Sequence, residues 1–341
     1  MIWNYYGNEG AAALLRSHIV NGSMRQAYLF SGPYGVGRRT LALRFAQAVN
    51  CQNPPQVGDF CGTCRSCKLF DAMTHPDLDI VVAEQKGDTL RVEQIRELQH
   101  RLSLAPYEGR YRIALIMRFE EANLNAQNAL LKTLEEPPQR AILLITAEDS
   151  ESLLPTIVSR CENIHLRPLA AESLARILIV EKGIESALAA QIARLSAGRV
   201  GVALRLLQDP ELRHQSTQII QRHLHLLSSS YLDRFALAER LAKTTQKAEI
   251  VSQLQYWLAF WRDVNLYSYG EQDHLTYCNF GEQIAAITNQ TTLKECLQVL
   301  KLLQRTLEIL QGNVNLRLAL EILFLNLPYI SIHPASTQAS L

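Results

Sequence analysis

Four cysteines crowd into residues 51 to 67, and Cys51, Cys61, Cys64 and Cys67 follow a C-x9-C-x2-C-x2-C spacing. Four thiolates spaced in this way can close a tetrahedron around Zn²⁺. A full set of protein ligands leaves no position for substrate, so the expected role is structural. Thiols left free are the alternative. The bound ion and its thiolates would carry a formal excess of negative charge, which the neighbouring Arg65 and Lys68 can offset, although plain solvated side chains are equally expected there. His75 is a conceivable substitute ligand; His75-Pro76-Asp77 reads more simply as a turn into a strand.

A second group of residues has the frame of a phosphate-binding loop. Gly32-Pro33-Tyr34-Gly35-Val36-Gly37-Arg38-Arg39 keeps the glycines Gly32, Gly35 and Gly37, whose freedom lets backbone N–H groups curl around phosphate at a helix N-terminus. Two chemical positions depart from the pattern. Arg38 stands where a lysine would reach the β- and γ-phosphates, and Arg39 where a hydroxyl would bind Mg²⁺. Thr40 comes one position too late. The acid expected at the end of the next core strand is missing as well: the run Ile113 to Met117 continues into Arg118 and Phe119 before Glu120 and Glu121 appear. Both halves of a magnesium site are compromised, which predicts an ATPase fold without hydrolysis, with ATP or ADP binding doubtful. A working enzyme is the alternative.

These residues need elements to hold them. Ala27 to Ala46 reads as strand, glycine-rich loop and helix, with Leu41, Phe45 and Val49 at helical spacing. Short apolar runs at Ile80 to Ala83, Ile113 to Met117 and Ile142 to Ile145 alternate with helical segments at Val92 to Leu102 and Ala126 to Leu134. Such alternation predicts a parallel sheet with helices on both faces. After Pro168 the strands stop, and a small helical domain of roughly three helices is expected up to about residue 207. The Asp209-Pro210 step marks the next boundary, beyond which everything reads as helix. Leu293, Cys296, Leu300, Leu303, Leu307 and Leu310 form a stripe that resumes at Leu316, Leu320, Leu323 and Leu327. An ordinary bundle core is the favoured reading of that stripe. Tyr256-Trp257-Leu258-Ala259-Phe260-Trp261 is too apolar all round for a solvated face. The expected division is 1–167, 168–207 and 208–330, with a loose tail at 331–341.

The 341 residues balance 34 Lys and Arg against 33 Asp and Glu, a formal charge of +1, which argues against autonomous binding to nucleic acid. The cluster of cysteines has no basic helix beside it spaced for base contacts, which further lowers a zinc-dependent DNA-binding module. With no leader-like start and no apolar run near the ~20 residues that a membrane span needs, a soluble cytoplasmic protein without a membrane partner is expected. Seven cysteines suit a reducing compartment.

The stretch Asn128-Ala129-Leu130-Leu131-Lys132-Thr133-Leu134-Glu135-Glu136-Pro137-Pro138, then Ser159-Arg160-Cys161, and finally Asn313-Val314-Asn315-Leu316-Arg317-Leu318-Ala319-Leu320-Glu321 complete the pattern begun by the loop and the cysteines. Together they resemble the delta-prime family of bacterial DNA polymerase III clamp-loader subunits, a branch of the AAA+ proteins. The resemblance covers nearly the whole chain and is weakest from about residue 210 to 290. It implies a P-loop AAA+ domain, a small helical lid and an all-α C-terminal collar that joins subunits into a hetero-pentamer. It further implies a stator without intrinsic ATPase that helps load the sliding clamp on primed DNA, and that offers Arg160, flanked by Ser159 and Cys161, to ATP on a neighbour. Thr146 aligns with a polar sensor, or is a hydrogen-bonded strand end. Gly201 sits where an active subunit would carry a phosphate-sensing arginine, with Arg199 nearby. An autonomous ATP-driven motor of the same loader is the alternative function, and positions 38 and 39 discriminate against it.

Overall fold

The structure, a computed structural model, describes residues 2–83, 88–310, 312 and 314–331. Asn313 and the tail from residue 332, expected to be loose, lie outside the described residues. The chain divides into two compact units, one of residues 1–183 with 198–204, the other of 184–197 with 205–341. The segment 168–207 is thus shared between them.

The first unit alternates helix and strand: α1 (Glu9–Val20), β1 (Ala27–Ser31), α2 (Arg38–Asn50), α3 (Arg65–Asp71), β2 (Leu78–Val81), α4 (Val92–Leu102), β3 (Arg112–Ile116), α5 (Leu124–Glu135), β4 (Ala141–Ala147), α6 (Pro155–Val158), β5 (Glu162–His165) and α7 (Ala171–Lys182). The five strands are all parallel in the order β2-β3-β4-β1-β5. Every residue of β1 and β4 is buried, as expected where both faces of a sheet are covered. Successive residues serve opposite faces. Tyr28, Phe30, Ile113, Leu115, Ile142 and Leu144 pack with Leu15 of α1 and Leu41 and Phe45 of α2. Leu29, Ala114, Ile116, Leu143 and Ile145 pack with Ile95 and Leu98 of α4 and Leu130 of α5. A slip of one residue in any central strand would exchange these two sets, so the pattern fixes the register.

Register also fixes the sites. β1 is flanked by β4 on one side, where Phe30 faces Thr146, and by β5 on the other, where Ser31 faces His165. The loop that follows Ser31 therefore leaves the sheet at its carboxyl edge between β4 and β5, the edge at which open parallel sheets bind ligands.

The second unit is helical: α8 (Ser186–Leu195), then, after α9 (Val200–Gln208), which both units share, α10 (Pro210–Leu227), α11 (Tyr231–Thr244), α12 (Lys247–Ser268), α13 (Gly281–Gln290), α14 (Leu293–Ile309) and α15 (Leu316–Leu325). Its core gathers Trp257, Phe260 and Trp261 of α12 with Cys296, Val299 and Leu303 of α14 and Leu320, Leu323 and Phe324 of α15. The leucine stripe is therefore in large part the inside of a bundle. Arg234 is 1% exposed in this core. Its Nη1 donates to the carbonyls of Phe324 and Leu327 at 2.9 and 2.7 Å, and Nη2 to those of Leu227 and Pro328 at 3.0 and 2.9 Å. One guanidinium so ties the last carbonyl of α10, which also accepts from the Ile330 N–H, to carbonyls at the end of α15 and just after it. Among the described residues no helix is long and apolar enough to cross a membrane.

Candidate functional site

The glycine loop sits at the carboxyl edge of β1, as the strand-loop-helix reading predicts, and Gly37 is the residue before α2. Its own chain covers it closely. The Gly201 N–H donates to the Gly35 carbonyl at 2.8 Å, and a Cβ on Gly35, whose φ is 82°, would lie 2.6 Å from Cγ2 of Val202. At Gly37, with φ 110°, the equivalent position is filled by the Tyr5 phenol, which would stand 2.7 Å from an added Cβ. Tyr5 also donates to the Val36 carbonyl at 3.4 Å. Only glycine admits both approaches. Within the loop, the Val36 N–H turns back to the Pro33 carbonyl at 3.1 Å. Gly32 donates to the carbonyl of Glu148 at 3.2 Å, which ties the loop to the end of β4.

Arg38 folds inward, with 8% of its side chain exposed, and its Nη2 lies 3.7 Å from Oε1 of Glu148. Nη1 is buried without a hydrogen-bond partner among the described residues. Burial pulls the Arg38 pKa down, and the carboxylates of Glu120 and Glu148 oppose that pull. The complementary effect appears on Glu120, where burial pushes the carboxyl up while Arg38 counters it. The late acid that the sequence places after Phe119 has thus become a counter-charge for Arg38. Arg39 and Thr40 are exposed. Thr146 is buried and accepts from the Arg118 N–H at 3.1 Å, which joins the ends of β3 and β4.

Arg160 lies at the opposite, amino edge of the same sheet. It follows α6, in a cleft of about 430 Å³ lined by Arg25, Gln26 and Ala27 at the start of β1, Glu162 at the start of β5, and Thr133 and Pro137 around the end of α5. Its side chain is 37% exposed. Nη2 meets Oε1 of Glu135 at 2.8 Å, and Nη1 donates to the Thr156 carbonyl at 3.0 Å. Ser159 lines the cleft and donates to the Thr156 carbonyl at 3.2 Å, whereas Cys161 is buried and burial pushes its thiol up to about 12. The two most specific stretches of the sequence, one ending α5 and one following α6, therefore meet at a single ion pair.

The four cysteines converge at the far end of α2, whose last turn runs into Cys51. All four Sγ atoms lie within 4.8 Å of one another. Cys51 and Cys61 are 3.6 Å apart and Cys61 and Cys67 4.0 Å, against the ~3.8 Å edge of a tetrahedron with Zn–S bonds of about 2.3 Å. Backbone N–H groups of Cys61, Cys64 and Cys67 donate to the sulfurs of Cys51, Cys61 and Cys64 at 3.3, 3.2 and 3.5 Å. Donors aimed at sulfur stabilise thiolates, so the set fits a metal ion of this type. Hydrogen bonds from Cys64 and Thr63 hold the Cys61 thiol down at about 6, whereas burial pushes the Cys51 and Cys67 thiols up. His75 is not among the group; it is buried against Ser66 and stacked on Phe70 at 4.1 Å.

Sequence reasoning singled out the loop, Arg160 and the cysteines; it quoted Glu135 within a motif without giving it a role, and passed over Tyr5 and Glu148. Their roles rest on contacts far apart in the chain; the signals were the motif around Glu135 and the position of Glu148 directly after a strand.

The family model described as DNA polymerase III, delta subunit, matches residues 7–170. The chain is similar to the DNA polymerase III delta-prime subunit of Pseudomonas aeruginosa, with 38% identity over 201 residues, 57% of this chain and 59% of that one. It therefore spans less than two thirds of that relative's length. The delta-prime subunit of Bacillus subtilis is 28% identical over 319 residues, 92% of this chain and 94% of its own. Among solved structures, a DNA polymerase III gamma-subunit-related protein from Thermotoga maritima covers 92% of this chain and 97% of its own, with 19% identity and a TM-score of 0.49.

Proposed function

We propose that this chain, a relative of the delta-prime subunits of bacterial DNA polymerase III, works as the non-hydrolysing stator of a clamp loader. In this reading it joins other loader subunits in a hetero-pentamer, helps place the sliding clamp on primed DNA, and lends Arg160 to ATP held by the next subunit. Residues 1–167 would be the AAA+ domain, 168–207 the lid and 208–330 the collar, with 331–341 a loose tail. The cysteine cluster would hold one structural zinc and take no part in the reaction.

The observation that carries the proposal is the contrast between the two edges of the sheet. At the carboxyl edge Arg38 is buried among Glu120 and Glu148, and Arg39 offers no oxygen to a magnesium ion. A triphosphate there would have to separate a buried cation from its carboxylates and would meet no metal ligand from the loop. At the amino edge Arg160 is open to a partner. A guanidinium supplied in trans can neutralise charge developing on a γ-phosphate, and its planar fork suits three phosphate oxygens better than a lysine would.

In a loader rebuilt with Arg160→Ala, assembly should persist while ATP turnover at one interface slows by about 10³-fold, the scale of measured arginine fingers. The isolated chain should turn over no ATP. An unchanged rate in the rebuilt loader, or several turnovers per minute by the chain alone, overturns the proposal.

A further inference from the structure

The geometry points to Glu135 as the positioning residue for Arg160. This inference rests on the reading that Arg160 acts on a neighbour's ATP. Glu135 is the last residue of α5, and Glu136 leaves the helical conformation with φ −126° and ψ 70° before Pro137 and Pro138. Proline cannot continue a helix and restricts the residue before it, so the place where α5 stops, and with it the Glu135 carboxylate, is set by rigid backbone. A carboxylate in the last turn of a helix faces the negative end of the macrodipole. Glu135 thus stands against its local preference, and the guanidinium 2.8 Å away supplies the compensating charge.

The hold is two-sided. Oε1 of Glu135 takes one N–H of Nη2, and the Thr156 carbonyl takes one of Nη1 at 3.0 Å. A guanidinium has five N–H donors, so these two anchors fix its plane while the Nε hydrogen and one on each Nη remain for phosphate oxygens. A carboxylate that consumed every donor would sequester the arginine; this one orients it. The pair is half exposed, at 37% for Arg160 and 52% for Glu135, where ion pairs add little to folding. Glu135 variants should therefore fold, and their effect should be read in the reaction.

The test uses the reconstituted loader with this chain as the only altered subunit. Glu135→Ala should lower kcat at the interface served by Arg160 by about tenfold, since misplacing a catalytic group by around 1 Å costs one to two orders of magnitude. KM for ATP should not move, because the nucleotide is bound by the neighbour. Glu135→Gln, whose amide oxygen can still accept from Nη2, should restore most of the rate. The double variant Glu135→Ala with Arg160→Ala should be no slower than Arg160→Ala alone. If Arg160→Ala slows turnover while Glu135→Ala does not, the positioning role is wrong and the trans-acting arginine stands. A faster Glu135→Ala, or a double variant slower than Arg160→Ala, also overturns the role. If Arg160→Ala is without effect, both readings fall together.

Discussion

Arg38 and Arg160 are the same side chain at opposite edges of one parallel sheet, and they face different chemistry. Arg38 is 8% exposed beside Glu120 and Glu148; Arg160 is 37% exposed, anchored by Glu135, with donors to spare. Both are paired with carboxylates of their own chain, but the first is buried with its partners and the second keeps donors in the open beside a half-exposed one. Burial and partners decide which role a guanidinium takes, and residue type alone does not.

Removing the metal should have the largest effect, and it tests whether the two edges are independent. The cysteine cluster terminates α2, the helix that begins at Arg38, whereas α6 and β5 around Arg160 have no residue in it. Purified chain is expected to hold about one zinc, in keeping with four thiolate ligands. Stripping it with a strong chelator should free four reactive thiols and raise amide exchange through the last turn of α2 and through α3. Residues 155–165 should keep their protection. Exchange rising equally there would mean that the two arginines share one cooperative scaffold.

Replacing Arg38 by Met is the second way to press the comparison. It should cost about 2 kcal/mol of folding stability near neutral pH, because the half-buried Glu120 carboxylate loses its counter-charge. Arg38→Met with Glu120→Gln should recover most of that loss, as seen in urea unfolding. ATP turnover in the rebuilt loader should stay within about twofold of the unaltered loader, a small effect next to the one proposed for Arg160→Ala. A fall as large as that of Arg160→Ala would put Arg38 in the reaction and erase the distinction.

What could be seen in the sequence divides along the same line. Ile113 to Met117 and Ile142 to Ile145 carry enough apolar residues to announce β3 and β4, and the spacing of Val92, Ile95, Leu98 and Leu102 marks α4 from end to end. The run Ile80 to Ala83 points to β2, which is shifted to Leu78–Val81 because the buried Asp77, whose carboxylate accepts from the Glu108 and Gly109 N–H groups, anchors the strand start. β5 escaped notice: of Glu162 to His165 only Ile164 is fully buried, so an edge strand left no apolar run to find. The cysteine spacing and the glycine frame are local and legible. The end of α5 is legible too, in the two prolines that follow Glu136, but that Glu120 and Glu148 face Arg38, or that Glu135 reaches Arg160, depends on strand order, which no window of sequence contains.

The helical unit extends the contrast to a group that gives up its charge. Burial pulls the Arg234 pKa down, and four donor bonds to carbonyls give the guanidinium partners in the core. His223 has no such help. It is fully buried, stacked on Trp257 at 4.2 Å, and its Nε2 accepts from Trp261 Nε1 at 2.8 Å. Burial, with a smaller push from Arg234, holds its pKa down at about 3, against 6.5 for a free imidazole. Between those values the unfolded chain binds a proton that the folded core refuses. Stability from this residue is therefore full above pH 6.5 and drains away as pH falls toward 3, by up to about 1.4 kcal/mol per pH unit. Urea unfolding followed by tryptophan fluorescence should give the helical unit about 1 kcal/mol less stability at pH 5.5 than at pH 7. His223→Gln, whose amide oxygen can take the Trp261 hydrogen bond without titrating, should flatten that dependence; a variant as pH-sensitive as the parent would show that the proton goes elsewhere.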